Sequence, residues 1–181
     1  MSPVPHRGPG KPIQPGPRVD LSRVVAVSAQ LPDAERTKSY GAALAHFLRA
    51  GDLLILCGPL GAGKTTFTQG VGRGLGVTEP ITSPTFVIAR VHRGGRVPLM
   101  HADAYRLGSI EELDDLDLDM ELDDAVTIVE WGEGLVEHLA EDYLVVDIDR
   151  ENSDSGDGRV ITLHPHGQSW TERLADFGRL G

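Results

Sequence analysis

Residues 58–65 run Gly-Pro-Leu-Gly-Ala-Gly-Lys-Thr, a spacing of glycines, lysine and hydroxyl able to grip the phosphates of a nucleotide. A triphosphate concentrates several negative charges in a small volume, so the groups that hold it must approach closely. Gly58, Gly61 and Gly63 allow the positive φ angles that turn successive main-chain N–H groups inward around a phosphate; Ala62 lies in the same run and Thr66 directly follows it. Lys64 adds a mobile full charge for the β- and γ-oxygens, and the Thr65 hydroxyl suits Mg2+. Lys64 is one of three lysines in 181 residues. With that composition the pattern has roughly 0.004 expected chance matches. The competing explanation is a glycine-rich turn with no ligand.

Such a loop must leave a buried strand and enter a helix. Leu53-Leu54-Ile55-Leu56-Cys57 is that strand, and a helix is expected from Lys64 to Leu75, stopped by Gly76. Its N-terminal end would point partial positive charge at the phosphates. Upstream, Arg23–Ser28 suggests a first strand, and Asp33–Arg49 carries apolar residues at helical spacing, with Gly51 as the expected left-handed cap. Downstream, Phe86–His92 and Val97–Ala104 flank Gly94-Gly95 as a hairpin, and Ser109–Glu112 has capping-box spacing. Strands are expected at Val126–Trp131, Tyr143–Ile148 and Arg159–Leu163, with helices around Gly134–Glu141 and at Thr171–Arg179. Alternation of strands and helices implies an α/β sandwich of the P-loop NTPase type. Its central sheet is mainly parallel with an antiparallel hairpin, and helices cover both faces.

Nucleotide hydrolysis also needs carboxylates near the metal and the attacking water. Asp103 and Glu130 each end an apolar strand, and ligands of open α/β sheets bind beyond the carboxyl ends of strands. Either acid could instead cap a neighbouring turn. Thr85 follows Pro84 between the loop helix and the next strand, the position of a nucleotide-responsive switch or of a plain strand start. Trp131 is a candidate for the pocket wall or for the core. Seven histidines give no convincing zinc spacing, and no Ser-His-Asp arrangement is legible.

The rest of the composition sets bounds. Six prolines within residues 1–17 and almost no apolar side chains predict a disordered tail over 1–20. One domain follows over 21–181, interrupted by a polar loop at 151–158. No run is apolar enough for a secretory signal or a membrane span, and a lone cysteine, Cys57, precludes an internal disulfide. A cytoplasmic protein is expected, with Cys57 a small buried hydrophobe rather than a nucleophile. A net charge of −10 argues against a free-standing nucleic-acid binder. Segment 111–124 is acidic with apolar residues at helical intervals, which fits a solvated amphipathic helix or a partner surface.

Gly58-Pro-Leu-Gly-Ala-Gly-Lys-Thr-Thr66, Ser83-Pro-Thr-Phe86, His101-x-Asp-x-Tyr-Arg106 and Glu130-Trp131 occur here in the order and approximate spacing of one family. Over about residues 30–165 the chain resembles TsaE, the bacterial ATPase of tRNA threonylcarbamoyladenosine synthesis. That resemblance implies ATP as substrate with Mg2+ as cofactor, and slow hydrolysis by the protein alone. It implies TsaB and TsaD homologues as partners, with ATP hydrolysis resetting the transferase, and contact with tRNA only through that complex. Carried over by residue, Thr65 and Glu130 hold Mg2+, and Asp103 serves the γ-phosphate and its water. Thr85 is the switch threonine, Trp131 packs beside the site, the adenine lies near Leu31–Thr37, and Arg159 touches the nucleotide. Two rival functions remain at this level, a small-molecule P-loop kinase and a nucleotide-sensing module. A kinase needs an arginine-bearing lid, and Arg90, Arg93 and Arg96 around the hairpin are expected to be solvated edge charge instead.

Overall fold

A computed structural model describes residues 26–84, 88–105, 122–150 and 156–180. Outside them lie residues 1–25 with the proline-rich tail, Thr85, the Ser109–Glu112 capping box, residues 111–121 of the acidic segment, and residues 151–155 of the polar loop. The described elements are β1 (Val27–Leu31), α1 (Ala34–Ala45), β2 (Leu53–Cys57), α2 (Lys64–Leu75), β3 (Ala89–His92), β4 (Leu99–Asp103), β5 (Val126–Glu130), β6 (Tyr143–Asp149), β7 (Arg159–His166) and α3 (Gln168–Gly178).

All seven strands form one sheet in the order β1-β7-β6-β2-β5-β4-β3. The four central strands, β6, β2, β5 and β4, are mutually parallel. Antiparallel pairing occurs at the expected β3–β4 hairpin, and also at β6–β7 and β1–β7. Strand β2 sits in the middle, so its C-terminal loop emerges between parallel neighbours. Every residue of β5 is buried, the continuous apolar pattern of a strand covered on both faces. One face packs under α1, α2 and α3 through Leu54, Leu56, Phe67, Ile128, Val146 and Trp170. The other buries Leu53, Ile55, Met100, Val129 and Val136 beneath shorter elements.

Helices α1 and α2 meet at backbone distance. A Cβ at Gly41 would lie 2.6 Å from Phe67 O, one at Gly74 2.5 Å from Ala42 O, and one at Gly70 would sit on Lys38 O. Gly70→Ala must therefore push the helices apart. It is expected to cost about 1–3 kcal/mol, measured by chemical denaturation of the full chain. A change below about 0.5 kcal/mol would show that the helices slide at no cost.

Several sequence expectations shift. The first strand begins at Val27 and reaches Leu31, later than expected, because β1 is defined by its pairing of Val27–Leu31 with Leu163–Arg159. Helix α1 starts where Asp33 accepts a hydrogen bond from Arg36 N at 2.7 Å, but it ends at Ala45. Residues 46–48 continue as tighter turns, and Gly51, although left-handed at φ 90°, serves the entry to β2, with its N–H on Ala125 O. The expected helix around 134–141 is only a 3-10 turn, Glu137–Leu139. Gly134 enters it at φ 79°, and Ala140 is already extended. Strand β7 outruns its expected end at Leu163 and carries Pro165. Pairing with β1 stops at Leu163, while β6 continues alongside through Leu144 and Tyr143, so Pro165 sits where one side of β7 is already unpaired by β1.

Candidate functional site

The chain leaves β2 at Cys57 and turns through Gly58 (φ 131°), Gly61 (φ 76°) and Gly63 (φ 105°) before α2 begins at Lys64. Gly58 passes so close to Ile148 O that no side chain fits, and Gly63 in the left-handed region precedes the first turn. Gly58 requires glycine for sterics as well as for φ, whereas Gly63 requires it for φ alone, since a Cβ there would meet only Arg159 Nε at 3.6 Å.

Sheet register brings the acids to this loop. Leu56 pairs with Glu130, and Glu130 with Asp103, so the last row of three parallel strands holds both carboxylates beside the residues that open the loop. Glu130 is 4 % exposed and Asp103 6 %. Thr65 Oγ1 lies 3.3 Å from Glu130 Oε1, and His101 Nε2 lies 2.8 Å from the same oxygen. Asp103 Oδ1 accepts from the N–H of Tyr105 at 2.9 Å, which fixes the carboxylate's orientation. Lys64 Nζ donates to Gly58 O at 2.8 Å and Pro59 O at 2.9 Å, and stands 4.2 Å from the centre of the Trp131 ring. Burial pulls the Lys64 pKa below its ordinary value, opposed by the negative charges of Glu130 and Asp103.

A cleft of about 370 Å3 joins these groups. Gly61, Gly63, Lys64, Thr65, Thr66, Asp103, Glu130, Trp131 and Arg159 line it, all among the residues expected from sequence. Arg159 donates from Nε to Ala62 O at 2.6 Å, which ties the start of β7 to the loop. Gly58 and Ala62 shape the loop without lining the cleft. Thr37 stays apart, 1 % exposed inside α1, with its hydroxyl donating to Asp33 O at 3.1 Å. Leu60, Ser83, Tyr105 and His101 were not singled out by sequence. Leu60 and Ser83 line the cleft, Tyr105 packs its ring 5.2 Å from Trp131, and His101 lies beneath Glu130. Ser83, His101 and Tyr105 all stand inside the motifs quoted above, which was the available signal. Trp131 adopts φ 60°, a strained backbone for a bulky residue, which turns the chain sharply out of β5.

The donor set fits Mg2+. A hydroxyl and carboxylate oxygens are the hard ligands it takes, and it commonly uses one or two protein groups with phosphate oxygens and water completing the shell. No cluster of three or more His, Cys, Asp or Glu among the described residues is arranged to hold a metal by itself.

A larger cavity of about 480 Å3 opens at Cys57, Gly58, Glu133, Val145, Asp147, His164 and His166. It lacks the lysine, the hydroxyl and the loop interior. Cys57 is not activated there. Burial, then the Glu133 and Asp147 carboxylates, push its thiol up to about 12. Relative to an ordinary thiol, the thiolate fraction at pH 8 falls about a thousandfold. Iodoacetamide should therefore label native Cys57 far more slowly than the same residue in denatured chain. Equal rates in the two states would refute that environment.

Fold and site together define a P-loop NTPase-type α/β protein. A crystal structure of Bacillus subtilis YdiB superposes with a TM-score of 0.71 at 32 % identity, covering 87 % of this chain and 97 % of that one. The model of the family described as threonylcarbamoyl adenosine biosynthesis protein TsaE matches residues 31–161, and the chain belongs to that family. Among curated relatives, the tRNA threonylcarbamoyladenosine biosynthesis protein TsaE of Streptomyces coelicolor is 56 % identical over 137 residues, 74 % of this chain and 93 % of that protein. The Mycobacterium tuberculosis protein of the same name is 46 % identical over 144 residues (75 % and 84 %), and that of Bacillus subtilis 42 % over 146 (80 % and 89 %).

Proposed function

We propose that the chain is a Mg2+-dependent ATPase required for threonylcarbamoyladenosine formation in tRNA. It acts in the cytoplasm with TsaB and TsaD homologues, and its hydrolysis of ATP resets the transferase between turnovers. One observation carries the reading: a lysine, a hydroxyl and two buried carboxylates converge on one glycine-built loop at the carboxyl ends of parallel strands.

Position supports the following roles. Main-chain N–H groups of residues 61–66 and the N-terminal end of α2 take the phosphates. Lys64 neutralises charge on the β- and γ-oxygens. Thr65 and Glu130 are the Mg2+ ligands; the ion supplies charge neutralisation and orientation of the phosphates when bound. Asp103 accepts a hydrogen bond from the attacking water, whose oxygen bonds the γ-phosphorus as the bond to the bridging oxygen breaks. ADP and inorganic phosphate leave, and the water's proton passes to the phosphate or to solvent. Trp131 and Tyr105 wall the cleft, and Arg159 braces the loop through Ala62. Thr85, outside the described residues, is the candidate switch.

Arg96, one of the arginines weighed for a kinase lid, does not support that alternative. Arg96 reaches back to the carbonyl oxygens of Ala45 and Leu48, a structural tether rather than the solvated edge charge expected from sequence. Among the described residues Arg159 is the arginine that lines the cleft. No described helix is long and apolar enough to cross a membrane. Phosphate release measured with and without TsaB and TsaD homologues tests the proposal. Turnover should rise when both are added, and no stimulation in an assembled mixture would overturn it.

A further inference from the structure

His101 occupies the middle of β4 with 0 % of its surface exposed. It precedes Asp103 by two residues and pairs with Ile128, two before Glu130, so all four side chains share one face of the sheet. Its neighbours along β4 are Leu99, Met100 and Ala102, all buried and apolar. A packing role alone would be filled by another such residue. Instead the strand buries an imidazole whose Nδ1 has no partner among the described residues, a cost that an aliphatic side chain would avoid.

Its Nε2 contact offsets that cost. An ionised carboxylate only accepts, so Nε2 carries the proton shared with Glu130 Oε1 at 2.8 Å. Thr65 donates to the same oxygen at 3.3 Å. Among the described residues both hydrogen bonds to this carboxylate fall on Oε1, and Oε2 takes none. We infer that His101 is a positioning residue for Glu130: its buried N–H pins Oε1 and thereby presents Oε2 to a divalent cation in the cleft. The orientation is set when the chain folds, so the cation does not have to impose it. The inference rests on the proposed metal role of Glu130.

The test uses full-length protein, a non-hydrolysable ATP analogue, and Mn2+ followed by electron paramagnetic resonance. H101Q keeps an N–H donor near the reach of Nε2, whereas H101N withdraws it. H101N should weaken Mn2+ binding about tenfold and H101Q less than threefold. Binding of the analogue without metal should be unchanged in both. A purely structural histidine would lower the melting temperature of either variant without separating their metal affinities. If H101N binds Mn2+ like the unsubstituted chain while E130Q is weakened, the positioning role is wrong and the metal role of Glu130 stands. If E130Q also binds normally, the reading of Glu130 fails and this one with it. Should H101N not fold, nitrogen-15 imidazole spectra of the unsubstituted protein decide. The His101 Nε2–H resonance should shift when Mg2+ is added to analogue-saturated protein, and an unmoved resonance would overturn the assignment.

Discussion

Asp103→Asn should lower ATP turnover in the presence of TsaB and TsaD homologues by about a thousandfold, with Mg·ATP affinity held within about threefold. A positioned carboxylate that takes or orients a proton in the transition state contributes typically 10²–10⁴ in rate. Asparagine keeps the volume and an oxygen for Tyr105 N, whose bond to Asp103 Oδ1 is 2.9 Å. What it removes is the negative charge and one acceptor in a pocket where Asp103 is 6 % exposed. The loss should thus appear in turnover and not in binding, a split read by comparing phosphate release with equilibrium titration. Turnover within tenfold of the unsubstituted protein would remove Asp103 from the chemistry and leave it as a cap on the turn after β4.

Lys64→Ala should weaken ATP binding by about a hundredfold or more. Two charge-assisted hydrogen bonds at about 1.5 kcal/mol each amount to roughly 3 kcal/mol, or about a hundredfold in affinity. The same substitution also removes the bonds to Gly58 O and Pro59 O and the contact over Trp131, so the loop loses an internal brace. Lys64→Arg does not repair the site, because a planar guanidinium cannot replace a compact ammonium inside so tight a turn. Calorimetric titration with Mg·ATP measures the effect. Affinity within fivefold for Lys64→Ala would mean that main-chain groups alone hold the phosphates.

The parts of the fold legible in sequence were those dictated by local chemistry. Strand β2, the glycine loop and α2 have the expected limits because Gly58, Gly63 and Gly76 are each forced by a backbone angle. Asp103 and Glu130 came to one row because both end apolar strands that turned out to be neighbours, and that adjacency is a property of strand order. What sequence missed depends on distant partners. The strand expected to end at Leu163 runs on to His166, because β6 still pairs with it after β1 has stopped. Leu135, Val136 and Leu139 have helical spacing, but their segment covers the second face of the sheet with a single 3-10 turn. Asp52 makes a bidentate pair with Arg173 at 2.7 and 2.8 Å, joining the entry of β2 to α3 across a separation that no local pattern carries. His101 gave no sign of its partner, since the residue it holds lies 29 positions away.

The most direct measurement is the melting temperature of the full chain with and without saturating Mg·ATP. At a hundredfold excess over the dissociation constant, binding stabilises the folded state by about 2.7 kcal/mol, or a rise of roughly 5–10 °C at this size. The account predicts that rise for the unsubstituted protein and its loss in Lys64→Ala. An unchanged melting temperature at saturating Mg·ATP would contradict it, because the glycine loop would then not be closing on phosphates at all.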